Sequence, residues 1–202
     1  MKFYPNRLEK IESYNLFVSS ILPRPIALVS TVGLDGTSNV APYSNFMSLC
    51  VKPFLVCIGI GYMRDGKKKD TLRNIEATKE FVVNIVDETL SEAMNKCSAE
   101  YASDVSEFDE AGLTAVPCDL VKVPKVAESP VSMECKLVQV LEFGETPTGN
   151  CAAIGEVVLF HVKDELWTGK DIDGVGLKAV GRLGGNFYCR TTDRFAMRRP
   201  LL

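Results

Sequence analysis

From Ile26 to Val162 the chain is a series of short apolar runs separated by turn residues. That rhythm leaves few architectures open. Ile26–Thr31 and Phe81–Val86 are short, branched and apolar, which is strand character. Phe54–Ile60 is apolar at successive positions and reads as a central strand buried on both faces. Val131–Leu141 alternates over most of its length. Cys151–Val162 follows it across a turn at Gly144–Asn150, so the two are expected to pair antiparallel. Gly33–Gly36 carries the Asp-Gly signal of a tight hairpin. The returning strand, Thr37–Ala41, places Val40 on one face and Asn39 and Ala41 on the other; Pro42 ends regular pairing or lies at an edge.

Helical periodicity is confined to short stretches. Tyr14–Leu22 is a short helix or a lead-in. Asp70-Thr71 can cap a helix whose buried stripe is Leu72 and Ile75. Thr89–Glu92 has the form of a capping box opening a helix to about Cys97. Ser98–Gly112 is an acidic loop with room for one helical turn, and Leu113–Val126, with Pro117 and Pro124, is extended edge structure. Strands outnumber helices and hairpin connections dominate. The expected fold is mainly β, an antiparallel barrel or sandwich with short α-helices.

The 202 residues, 46% of them hydrophobic, suit one domain spanning 1–202. A net charge of −3 argues against nucleic acid as the main partner. No apolar run approaches the roughly 20 residues of a membrane-spanning helix. The opening residues, Met1 to Arg7, have neither an apolar stretch nor a small-residue cleavage site. The seven cysteines are odd in number, form no Cys-x-x-Cys pair and lie partly inside apolar runs. They read as reduced thiols of a cytoplasmic protein. With one histidine, His161, no His-based metal site is expected. Gly174–Ala179 fits G-x-G-x-x-A, but its acidic, polar flanks lack the strand and helix of a dinucleotide fold.

Two stretches carry chemical potential. Lys67, Lys68 and Lys69 run into Asp70-Thr71 at a helix start, where unpaired N–H groups, a hydroxyl and positive charge can take a phosphate. The alternative is a solvated charge run before a capped helix. Asp70 repels a phosphate unless it turns away as the cap. Asn39–Phe46 offers amide and backbone groups to a ring edge, or is simply an edge strand with a proline bend. His161 is either a general acid or nicotinamide contact, or a structural histidine of an apolar strand. Cys50 and Cys57 flank the entry of the Phe54–Ile60 strand, as fillers or as neighbours of a redox centre. Trp167 is a packing residue, or a cover for a planar ligand or a subunit.

Arg24–Thr31, Asp35-Gly36, Asn39–Ser44, Lys69–Asn74, Glu80–Asn84, Gly155–Val157 and Gly181–Tyr188 occur in an order and spacing that resembles the flavin reductase-like family of FMN-binding split-barrel proteins, which includes the flavoredoxins. The resemblance implies a six-stranded antiparallel Greek-key split β-barrel and a homodimer with FMN near its interface. It implies that Asn39, Ala41, Pro42, Tyr43 and Ser44 line the ring or ribityl chain. Lys69 and Thr71, helped by Lys67 and Thr31 and with Asp70 beside them, would take the phosphate. Arg182 and Gly184 would lie in a loop near the cofactor. Cys50 would lie near the cofactor too, where small or hydroxylic residues are usual. The implied activity passes electrons from NADH or NADPH, a transient donor, through FMN to a flavin, ferric or protein acceptor. A flavoredoxin-type carrier reduced by a protein partner and a non-catalytic barrel module are the competing readings.

Overall fold

The computed structural model describes residues 1–146 and 148–200. The chain opens with α1 (Lys10–Ser20), then β1 (Arg24–Pro25), β2 (Ala27–Val32), β3 (Ser38–Tyr43), β4 (Phe46–Val51), β5 (Phe54–Gly61) and α2 (Asp70–Thr78). It continues through β6 (Glu80–Ile85), α3 (Ser91–Lys96), α4 (Glu107–Ala111), β7 (Ala115–Val116) and β8 (Lys125–Val126). The long strands β9 (Val131–Phe143) and β10 (Asn150–Val162) follow, and the hairpin β11 (Val180–Arg182) and β12 (Tyr188–Arg190) comes last. No described helix is long and apolar enough to cross a membrane.

One antiparallel sheet of seven strands dominates, in the order β3-β2-β6-β9-β10-β5-β4. Six strands were expected; the seventh is β4, an apolar run that faces mostly outward and shows no inside–outside alternation. Ala27 and Val29 of β2, Tyr43 of β3, Ile58 of β5, Phe81 of β6, Cys135 of β9 and Ala153 of β10 meet in a single buried cluster. A sheet whose successive strands all contribute to one core must curl around it. Leu72 and Ile75 of α2 enter the same cluster, as the helical spacing required. The β2–β3 and β4–β5 hairpins sit at opposite edges, so the chain crosses the sheet between β3 and β4 and again, through α2, between β5 and β6.

Which strands are buried on both faces differs from the expectation. β5 alternates: Val56, Ile58 and Ile60 face the core, while Leu55 and Cys57 are half-exposed because no element of the chain covers their side. The doubly covered strands are β2 and β6, where Val82 of β6 packs against Val121 and Val123. The outward Leu28 of β2 packs with Val40 beneath Leu90, just before α3, Met94 within α3, and Phe108 of α4. Pro42 lies within β3, opposite Leu28, and is tolerated because β3 is an edge strand.

The capping box at Thr89 does not form. The helix starts two residues later, and Asp87 Oδ1 instead accepts from Leu90 N (2.9 Å) and Thr89 Oγ1 (2.8 Å). Trp167 is 55% exposed and is not a core residue. Gly174–Ala179 forms turns rather than a strand–loop–helix unit.

Where β10 shifts register against β9, between Ile154 and Gly155, the glycine lies against the ring of Phe81, which is fully buried. A Cβ at Gly155 would sit 2.3 Å from that ring, with Cys135 Cβ at 3.4 Å on another side. Neither can move without displacing the core. Gly155→Ala is expected to cost about 1–3 kcal/mol by overpacking, read as a lower urea midpoint; an unchanged midpoint would show that the core yields there.

Candidate functional site

The edge strand β3, the amino end of α2, the segment after α3 and Glu107 of α4 enclose a cavity of about 200 Å³. Asn39, Ala41, Pro42, Tyr43, Lys69, Asp70 and Thr71 all line it. A smaller cavity of about 80 Å³ shares Pro42 and Tyr43 and adds Ser44, Arg182 and Tyr188. Two stretches some 30 positions apart in sequence thus face one another. The sheet achieves this because α2 covers the open end of the barrel beside β3.

A buried hydrogen-bond network underlies the larger cavity. Asn39 Nδ2 donates to Glu107 Oε1 (2.7 Å) and Val40 N donates to Glu107 Oε2 (3.0 Å). Asn39 Oδ1 accepts from Thr71 Oγ1 (2.8 Å) and Thr31 Oγ1 (3.2 Å), and Asn74 Nδ2 donates to Thr31 (3.1 Å). The amide orientation follows from chemistry: an ionised carboxylate can only accept, so the nitrogen of Asn39 must face Glu107. Thr31 is fully buried and lines neither cavity; it braces Asn39 from behind. Burial pushes the Glu107 carboxyl above its ordinary range, against the hydrogen bonds that favour its charge. Burial also pushes the neighbouring Cys97 thiol up to about 12, Glu107 adding to the rise, so it stays protonated.

The anion-seeking features lie on the opposite wall. Lys69 is the N-cap residue of α2, and no side chain caps that helix. Its first-turn N–H groups therefore lack a side-chain acceptor. Lys69 Nζ lies 5.9 Å from the centroid of the Tyr43 ring and makes no ion pair among the described residues. Tyr43 Oη is buried and makes no hydrogen bond within 3.5 Å among the described residues, although the Thr71 hydroxyl is near enough to act on it. Burial holds that phenol well above its ordinary pKa, so it remains a donor. Asp70 is not the cap. Its Oδ1 is held by the Arg73 guanidinium and by Ser103 Oγ (3.1 Å), so its charge is matched outside the cavity.

At the smaller cavity, Ser44 Oγ accepts from Arg24 Nε (3.3 Å). Arg24 is buried and makes no ion pair with a carboxylate among the described residues. It donates instead to the backbone oxygens of Val18, Ile21 (3.3 Å) and Leu183 (3.1 Å). Arg182 stacks on Tyr188 at 4.5 Å and donates to Gly185 O (2.6 Å).

Other expected residues stand outside the cavities. Gly184 lies against Ser19, and Lys67 is largely exposed and paired with Asp65 (2.7 Å). Cys50 is exposed near the end of β4, its sulfur 3.3 Å from Lys52 O. Sequence reasoning missed Glu107 altogether. It sits in an acidic stretch where carboxylates ordinarily face water, and only the fall to Phe108 and Ala111 hints at a buried turn.

The flavin reductase like domain matches residues 18–173. A protein of Halalkalibacterium halodurans is 41% identical over 205 residues, covering 100% of this chain and 98% of its own. Among solved structures, nitrilotriacetate monooxygenase component B from Bacillus cereus superposes with a TM-score of 0.93 at 35% identity, covering 98% of each chain. Pseudomonas fluorescens 2-nitrobenzoate 2-nitroreductase superposes with a TM-score of 0.90 at 33% identity, covering 99% of this chain and 96% of that one.

His161 lies apart from these cavities. Its Nε2 contacts Glu134 Oε1 at 2.6 Å and its Nδ1 contacts Lys125 Nζ at 2.8 Å. Cys118, Glu134 and His161 bring three ligand-type atoms within 4.8 Å of one another. An ammonium already occupies the second histidine nitrogen, and the fully buried Glu134 side chain accepts from the backbone N–H groups of Asp119, Leu120 and Val121. The carboxylate is thus an anchor for the 118–122 loop. Burial pushes its pKa up, but those amides and His161 outweigh burial and hold it below 4.5. A depressed carboxyl stabilises the fold above the unfolded pKa and loses that contribution as pH falls through the folded one. Glu134→Gln should therefore be less stable than wild type near neutrality, with the gap narrowing as pH drops below 4.5. Urea midpoints across that range test it, and a constant gap would rule out the charge.

Proposed function

The chain belongs to the flavin reductase like domain family, and from that premise we propose that it is a single-domain FMN-binding oxidoreductase. NADH or NADPH is the electron donor, and a flavin, ferric or protein acceptor takes the electrons. The observation that carries the reading is the pairing, in one cavity, of an unneutralised lysine and an uncapped helix end with a buried phenol lacking a partner. Such an orphaned buried polar group calls for a ligand. Its neighbours suit a phosphate, with the ring lying towards Pro42 and Ser44.

Bound FMN would supply hydride acceptance and electron release. The chain supplies position and charge. Lys69, Tyr43 Oη and the first-turn N–H groups of α2 hold the phosphate. Pro42 and Ala41 give a flat, small-sided floor for the ring. Ser44, accepting from Arg24, keeps its own proton free to donate to the ring edge, where negative charge develops. No side chain need move a proton.

A homodimer completes the site. Exposed Met47, Leu49, Phe54, Leu141, Phe143 and Phe160 concentrate on β4, β5, β9 and β10, an unusually apolar surface for an isolated chain. The cavity of about 200 Å³ is also smaller than the roughly 300 Å³ at which ligand pockets begin. Seven free cysteines suit a reducing compartment such as the cytoplasm. Reductase is favoured over a carrier because two solved structures above 30% identity are a monooxygenase component B and a nitroreductase.

Anaerobic mixing of the FMN-loaded protein with NADH and with NADPH should bleach the flavin band. No bleaching by either donor would leave only the carrier, and no FMN binding would end the proposal. Lys69→Ala should weaken FMN by about 1.5–3 kcal/mol and leave riboflavin, which lacks the phosphate, nearly unaffected. Equal losses for both ligands would move the phosphate elsewhere.

A further inference from the structure

Glu107 touches neither the lysine nor the uncapped helix end, yet it lines the same cavity and holds Asn39. We infer that Glu107 is a positioning residue that sets the hydrogen-bond polarity of Thr71 at the anion end of the cavity. This rests on the reading that the cavity takes the phosphate of FMN.

The chain of donors leaves one arrangement. Val40 N and Asn39 Nδ2 both donate to Glu107, so Asn39 turns its oxygen the other way. That oxygen takes the hydroxyl protons of Thr71 and Thr31. A threonine has one proton to give. With it directed inward, Thr71 shows the cavity only lone pairs, which a phosphate oxygen does not welcome. The threonine that the helix-start pattern marks as a phosphate donor is held here as an acceptor.

The same geometry shows what would reverse it. In Glu107→Gln the amide oxygen must still accept from Val40 N, so the amide nitrogen faces Asn39. Asn39 then has to rotate and present its oxygen to Gln and its nitrogen to Thr31 and Thr71. Thr71 now accepts from Asn39, and its proton is released towards the cavity. The substitution is isosteric, and its cost falls on Thr31, which then accepts from both Asn39 and Asn74 and leaves its own buried proton without an acceptor, so the variant is expected to fold with reduced stability.

The test compares FMN with riboflavin by fluorescence titration. Glu107→Gln should bind FMN about tenfold or more tightly than wild type does, the worth of one hydrogen bond to a charged group, with riboflavin affinity within about twofold. Loss of negative charge alone would also favour FMN, so the double variant Glu107→Gln/Thr71→Val decides the route: the gain must vanish in it. A gain that survives there overturns the inference, as does an unchanged FMN affinity or an equal loss for both ligands, which would make Glu107 a structural strut. If wild type binds no FMN, the reading beneath the inference fails first. Should the variant not fold, NMR of the wild type answers through the Asn39 side-chain amide protons. Cross-relaxation to Glu107 supports the arrangement, and cross-relaxation to the Thr31 and Thr71 methyl groups overturns it.

Discussion

One buried carboxylate joins three separately coded pieces of this protein. Glu107 stands on a helix of a single turn, yet it accepts from the backbone and the side chain of the edge strand β3. Through Asn39 it reaches Thr71 on α2 and Thr31 on β2. An edge strand is otherwise free to bend or slip, since one row of its backbone groups lacks a neighbour. Here a charge-assisted pair replaces the missing strand along part of that edge. The wall that carries Ala41, Pro42 and Tyr43 is rigid because its middle is bolted to α4.

Arg24 does the corresponding work at the other end. Its guanidinium is solvated by backbone carbonyls at the end of α1 and by Leu183 O, with no carboxylate partner among the described residues. Carbonyls at a helix end carry partial negative charge, so they suit a cation without neutralising it. The residual positive charge is handed to Ser44. Two buried ions of opposite sign therefore flank the candidate site, one behind each end.

Much of this was legible in periodicity. β2, β3, β6 and the β9–β10 pair follow the apolar runs and turn signals closely, because each has at least one face that must be dry. Leu72 and Ile75 identified the buried stripe of α2 for the same reason. Errors arose where that rule loses force. β4 is apolar but has nothing to bury within one chain, so it lacks the alternation that marks a half-buried strand. β5 is apolar on two sides but covered on one, so composition overstated its burial. The gathering of Asn39–Ser44 with Lys69–Thr71 was anticipated through family resemblance, whereas the direction of the Thr71 proton was not. Proton direction depends on Glu107, whose burial no local pattern announces.

The open amino end of α2 has a consequence for the energetics of the whole chain. A helix that begins on lysine forgoes a side-chain cap, a device typically worth about 1 kcal/mol. An anion resting there supplies the missing acceptor and becomes, in effect, the last residue of the helix. Leu72 and Ile75 of that helix enter the central core, so an anion bound at the first turn would be felt there. Stability then becomes a function of ligand concentration, and a cell short of the ligand would carry a looser, more readily degraded form of the same chain.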